Sequence, residues 1–451
     1  MATQDPSARC ADANPDVLIV GGGPAGSTVA ALLAEKGHDV VLLEKTHHPR
    51  FHIGESLLPM NMPLFDRLGI RRQVEDIGIT KYGAEFISPW HEHTSDLNFA
   101  DAMDKCFPYA VQVRRSEFDE LLFRHAARRG ARCIEGIRVT RVDLESKLDA
   151  ERRVRVVARG EDGVETEWRP RFVIDASGRD TLLSIQFGIK MRNPDHSSAA
   201  LFGHFTGAWR GAGRREGNIS LFWFDHGWFW YIPLRDGTVS VGAVASPAYF
   251  KTRQSDPSTF LMETIALAPR LAERLAGATM DAPATATGNF SYYSSYCRGD
   301  RFAIIGDAYA FIDPMFSSGV FLAMHSAFES AKAVDLWLHG DLKAAEKAFR
   351  RFEHTMVHGP KMFSWFIYRI TSPAIRRLFM QPRNIWRMQE ALLSILAGDI
   401  FRNTPVYPRL LGFKVIYYCS CLTVWPQALK TWATRRRNHR ATLAAESGAA
   451  K

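Results

Sequence analysis

Residues 16–26, DVLIVGGGPAG, constrain the fold more than any other stretch. Asp16 to Val20 is a short apolar run rich in β-branched residues, the pattern of a fully buried parallel strand. It runs into Gly21-Gly22-Gly23-Pro24-Ala25-Gly26, and Ser27 to Leu33 then reads as an apolar helix. The spacing G-x-G-x-x-G falls on Gly21, Gly23 and Gly26. Gly21 permits the tight turn, Gly23 lets backbone amides approach a pyrophosphate, and Gly26 lets helix and strand pack closely. The helix N-terminus offers phosphate the positive end of a dipole. These glycines alone also suit an ordinary βα turn. A second strand, His38 to Leu43, changes that by ending in Glu44, where an adenosine ribose hydroxyl needs an acceptor. The stretch predicts a dinucleotide site.

At 451 residues the chain can hold two or three domains, and 46% hydrophobic with 23% charged residues is the balance of a folded soluble protein. The six cysteines, Cys10, Cys106, Cys133, Cys297, Cys419 and Cys421, form no C-x-x-C pair, so neither a zinc site nor a disulfide framework is expected. The first sixteen residues carry no apolar run of the signal-peptide kind, which points to a reducing cytoplasm. The net charge is +9, of which residues 430–451 supply +5, and no nucleic-acid module is seen.

Along the chain, Pro49–Pro59 (PRFHIGESLLP) places Arg50, Glu55 and Ser56 beside the glycine turn. Such a loop either holds a ring system against the phosphates or simply leads into a helix over Met60 to Val74. Gly78 to Phe86 reads as one strand leaving the first domain, with Lys81 between apolar and aromatic neighbours. From the residues alone Lys81 reads as an exposed strand lysine. Ser116 reads as the N-cap of a helix with Asp119 completing a capping box, and Arg115 just before it suits an anionic or carbonyl group. Residues 131–138 and 153–174 alternate as hairpin-like strands. They lead to Asp175-Ala176-Ser177-Gly178, small residues that suit close backbone approach to a ligand.

From about 186 to 294 strands dominate, at 199–206, 218–224, 228–233 and 238–244. Their alternating aromatics predict one aromatic sheet face, either core or the wall of a pocket for a flat substrate. Arg301 to Ala308 returns as a buried strand ending in Gly306-Asp307, and Asp307 is placed for a ribityl hydroxyl. The amides of Ser317 to Val320 open a helix to about Leu338 and form a natural anion site. Residues 341–400 are helical in pattern. Residues 410–425 are apolar but too few to span a bilayer, and the basic run Lys430, Arg435-Arg436-Arg437 and Arg440 follows. That segment either lies on an anionic membrane surface, through residues 410–440, or packs on the body.

The combination of Gly21–Gly26, Glu44, Asp175–Gly178 and Gly306-Asp307 resembles the FAD-binding elements of flavin monooxygenases with the p-hydroxybenzoate hydroxylase fold. Within that group, Pro49–Pro59, Trp228–Pro233 (W-x-W-x-I-P) and Asp313–Val320 (DPMFSSGV) are similar to stretches of the flavin-dependent halogenases. The likeness covers roughly residues 14–340. It implies an α/β fold, a Rossmann-like FAD-binding domain with an inserted antiparallel β-sheet substrate domain and a helical C-terminal region. The expected boundaries are 1–80, 107–185 and 295–340 for the first, 81–106 and 186–294 for the second, and 341–451 for the third.

The same likeness assigns FAD to Gly21, Gly23, Ala25, Gly26, Glu44, Lys45, Arg50, Glu55, Ser56, Arg115, Asp175, Gly178, Asp307, Pro314, Gly319 and Val320. It gives halide the amides of Ser318 and Gly319, and the acceptor ring a pocket of Trp228, Trp230, Pro233 and Phe316. Lys81 becomes the catalytic lysine that relays hypohalous acid, formed from reduced FAD, oxygen and chloride or bromide. One departure narrows the acceptor. Where tryptophan halogenases carry a glutamate before the Ser/Thr-Gly pair, this chain has Phe316 before Ser317-Ser318-Gly319. That pattern is similar to phenol and pyrrole halogenases, often acting on carrier-protein-bound rings. No second nucleotide fingerprint appears, so reduced flavin is expected from a separate reductase. An aromatic hydroxylase or isoprenoid-type reductase on the same fold, or a flavin-binding protein without activity, are the alternatives.

Overall fold

The computed structural model describes residues 14–423 except 145–153, 194–195, 289–290, 383 and 403, together with 433. Strand β1 (Val17–Val20) is wholly buried and turns at Gly21 into helix α1 (Pro24–Glu35), whose Pro24 at the first turn loses no hydrogen bond. Strand β2 (Val40–Leu43) follows. The expected helix over 60–74 is two helices, Met62–Leu68 and Arg71–Ile77, because Gly69 at φ +71° ends the first.

The single strand expected over 78–86 is also two. Strand β3 (Gly78–Lys81) and β4 (Gly83–Ile87) belong to different sheets, and the chain changes sheet at Tyr82-Gly83. Asn218 Oδ1 accepts both N–H groups of that break, at 3.0 and 2.9 Å. After β5 (Thr94–Asn98), strand β6 (Ala110–Val113) pairs antiparallel with β3. Helix α2 (Arg115–Arg128) then has Arg114 at its N-cap, two residues before the expected Ser116 cap. Asp119 does not return to a capping box because its carboxylate is held by guanidinium groups, Arg115 at 2.8 and 3.0 Å and Arg50 at 3.2 Å.

Strands β7 (Arg132–Ile134) and β8 (Phe172–Asp175) complete most of the first sheet. The second sheet is built from β9 (Ala199–Thr206), β10 (Ile219–Phe224), β11 (Gly227–Pro233) and β12 (Val239–Ala245). Strand β13 (Phe302–Ile304) returns to the first sheet, whose order is β13-β8-β1-β2-β7, all parallel, with Arg298–Gly299 on its edge. The second sheet runs β9-β12-β11-β10-β4-β5, with the short strands Thr279–Met280 and Thr285–Thr287 on the outer side of β9, antiparallel except where β10 meets β4.

Helix α3 (Gly319–Leu338) packs on α1, and α4 (Leu342–Ile367) packs on α3. Helices α5 (Pro373–Met380), α6 (Met388–Leu396) and α7 (Val406–Thr423) follow; α7 packs on α5 and α6. The single aromatic face expected of the second sheet is two buried faces. Trp223, Trp228 and Trp230 join the main core, while Phe222, Phe224, Phe229 and Tyr231 face a second core under the helix Pro257–Ala266. Alternation along β10 and β11 sorts them.

Candidate functional site

A cavity of about 750 Å³ opens at the carboxyl ends of β1, β2 and β8, the place where open α/β sheets bind ligands. Gly21 adopts φ +101°, and a Cβ on Gly26 would stand 1.9 Å from the Gly21 carbonyl oxygen, so only glycine allows strand and helix to meet here. Gly22 N–H donates to Glu44 Oε2 at 2.7 Å, and Thr46 donates to Oε1 through N–H and hydroxyl. Burial alone would raise the Glu44 carboxyl; the Arg50 charge and those hydrogen bonds more than reverse this and hold it below its ordinary value.

Gly21, Gly23, Ala25, Glu44, Lys45, Arg50, Glu55, Ser56, Arg115, Gly178, Asp307, Pro314, Gly319, Val320, Trp228 and Trp230 all line the cavity. Arg115 in the lining donates to Asp119 and to the Ile53 carbonyl. Asp307, half-buried in the lining, is pushed up to about 6 by desolvation against the pull of Arg115 and Arg179.

The other expected residues stand just outside the lining. Gly26 is under the turn. Asp175 is buried and accepts the N–H groups of Ser177 and Leu183, shaping the loop rather than facing the cavity. Ser318 is the N-cap of α3, its buried hydroxyl without a partner, and Ser317 before it takes φ +56°. Pro233 closes β11 opposite Val239, and Phe316 packs against Phe363 and Phe366 of α4.

Lys81 is not the exposed strand lysine its sequence suggests. It is buried at the end of β3, donates to Ser56 Oγ at 2.8 Å and to the Leu57 carbonyl at 3.0 Å, and lies 5.3 Å from the centre of the Phe99 ring. Desolvation pulls its ammonium down to about 7. Ser56 is thus shared, one side lining the cavity and its hydroxyl holding the lysine.

Three participants escaped sequence reading. His204 of β9 lies 2.8 Å from Glu55 Oε1, and the other carboxylate oxygen of Glu55 is buried without a partner. Phe51 stands 57% exposed among the cavity lining, stacked on Phe202 and edge-on to His204. Asp119 anchors both Arg50 and Arg115. A lone histidine in a strand carries no spacing signal, and only Asp119's place one turn after Arg115 was visible.

The buried polar atoms without partners around the cavity, Arg50 Nε and Glu55 Oε2 among them, and the glycine turn suit FAD. The FAD binding domain family matches residues 14–351, which makes the chain a flavoprotein of that class. It is 36% identical over 342 residues to the tryptophan 2-halogenase of Chondromyces crocatus, covering 74% of this chain and 64% of that protein's length. To the 1H-pyrrole-2-carbonyl-[peptidyl-carrier protein] chlorinase of Pseudomonas fluorescens it is 27% identical, over 86% of this chain and 90% of the other. The solved structure of the myxobacterial chondrochloren halogenase CndH aligns at a TM-score of 0.74 and 32% identity, over 87% of this chain and 92% of the other. The chain belongs to the flavin-dependent halogenases.

Proposed function

We propose that the chain halogenates an electron-rich aromatic ring, phenolic or pyrrolic, using oxygen, chloride or bromide, and FAD reduced by a separate flavin reductase. The observation that carries this is Lys81, a buried amine whose desolvation pulls its ammonium down to about 7, tied through Ser56 to the cavity wall. FAD supplies the reducing equivalents that make halide and oxygen into hypohalous acid. The residues do the rest. Lys81 donates hydrogen bonds to the hypohalous acid when protonated; when neutral its nitrogen attacks the halogen, the O–halogen bond breaks, and the departing hydroxide takes an amine proton and leaves as water, so that a haloamine is held for the ring. The amides of Ser318 and Gly319, at the N-terminus of the 20-residue α3, hold the halide. Trp228 and Trp230 keep the acceptor ring off the cofactor.

Residues 81–106 and 186–294 form, in this reading, the part that receives the ring. Phe316 leaves no carboxylate before Ser317, so the ring position attacked must be activated by an adjoining hydroxyl or pyrrole-type nitrogen; this argues against the benzene ring of free tryptophan. The carrier-protein substrate in the name of the Pseudomonas relative supports a tethered acceptor. Contact of residues 410–440 with lipid is no part of this chemistry, and no helix among the described residues is long and apolar enough to cross a membrane.

The test supplies the protein with FAD, a flavin reductase, NADH and bromide or chloride. Phenols, pyrroles, their carrier-bound thioesters and tryptophan are the acceptors, and mass spectra are read for the halogen isotope pattern. Halogenated phenol or pyrrole is expected, and Lys81→Ala should abolish it while FAD still binds. Hydroxylated products, or full halogenation by Lys81→Ala, would overturn the reading in favour of a hydroxylase.

A further inference from the structure

Helix α7 is apolar on two sides. One side, Val406, Leu410, Phe413 and Tyr417, is buried against the body, where Phe413 and Tyr417 meet Trp365 and Phe413 also meets Phe366. On the other side Tyr407, Leu411, Val415, Tyr418 and Leu422 are each between 54% and 69% exposed. At 3.6 residues per turn these five fall within an arc of about 80° and run along about 22 Å of helix. An exposed stripe of that length on a folded protein marks an interaction surface.

The charge of the chain says what kind. Residues 361–451 hold 15 of the 57 lysines and arginines but only 3 of the 48 aspartates and glutamates, a net +12, whereas residues 1–360 are net −3. Arg369 and, on α7 itself, Lys414 lie over the Trp365 ring, and after the helix the sequence runs through Trp425 and Trp432 to Arg435-Arg436-Arg437. A second copy of the chain would bring like charge against like. A protein groove would have to match a long, uniform stripe. An anionic lipid surface needs only what is here: bulky aliphatic side chains, tyrosines and tryptophans that favour the interface, and cations for the headgroups.

We infer that α7 lies in the plane of an anionic membrane with its exposed stripe in the acyl boundary, and that the net positive charge of residues 361–451 gives the surface its preference for anionic lipid. The helix lies on the bilayer and does not span it.

The FAD-loaded full chain is floated with vesicles of phosphatidylcholine alone and of phosphatidylcholine with phosphatidylglycerol. Binding to the anionic vesicles only, weakened by salt, is expected. Leu411→Glu/Val415→Glu/Leu422→Glu should lose about tenfold or more in partitioning, since all three side chains are exposed, with its melting curve and FAD binding unchanged. Arg435→Glu/Arg436→Glu/Arg437→Glu should lose the preference for anionic lipid. No binding to anionic vesicles, or binding that survives the triple stripe variant, overturns the inference. So does a vesicle-independent association with a second copy or with an acidic carrier protein that the stripe variant abolishes.

Discussion

A lysine whose ammonium is pulled down to about 7 from 10.5 makes the folded chain prefer the neutral amine. Between those two values the unfolded chain binds more protons than the folded one, so this contribution to stability improves as pH rises and is worst below about 7. Lys81→Met removes it. Relative to their difference at pH 10.5, the variant should gain on the parent by about 5 kcal/mol at pH below 7, the gain shrinking as pH rises; denaturant midpoints across pH measure this. A gap that is flat in pH would mean that Lys81 is not buried as described. Glu44 works by acceptance rather than by charge burial. Glu44→Gln keeps the shape but cannot accept at both oxygens from Gly22 and Thr46. FAD should dissociate about tenfold more readily, the size of one hydrogen bond to a charged group, as read by flavin fluorescence titration.

Strand β12 meets β11 where Gly242 stands opposite Trp230. A Cβ at Gly242 would lie 2.2 to 2.5 Å from the indole atoms of Trp230, whose Nε1 donates to Ser240 Oγ at 3.1 Å. Gly242→Ala should therefore push the indole into the cavity, weakening FAD binding while the sheet keeps its circular dichroism. Elements like these were largely legible: β9 to β12 fall within a residue of their predicted limits, because short apolar strands bounded by turn residues announce themselves. The break between β3 and β4 was not legible, since Asn218 fixes it from 136 residues along the chain. Neither was the first turn of α2, where Ser116 and Asp119 satisfy the capping pattern but guanidinium groups claim the carboxylate. Local patterns lose to distant partners.

The glycine turn and Glu44 pointed to a ligand site because each carries its own geometry, whereas the Trp228–Pro233 stretch pointed there only through its resemblance to the halogenases; Trp228 and Trp230 line the cavity and Pro233 does not. What the sequence withheld is who meets whom: that Lys81 is buried behind Ser56, and that His204 of the second sheet reaches Glu55. The cavity lining runs from Val20 to Ala323 and draws on both sheets and on the loops between them. A ligand there touches segments far apart in the chain, so it acts as a removable cross-link. With free FAD at a hundred times its dissociation constant, the folded chain should gain about 2.7 kcal/mol, and about 1.4 kcal/mol more for each further tenfold. Melting temperature should climb with the logarithm of FAD concentration, and apoprotein should lose its two-sheet packing first. On that view the supply of flavin sets how much of the protein is folded as well as how much of it is active.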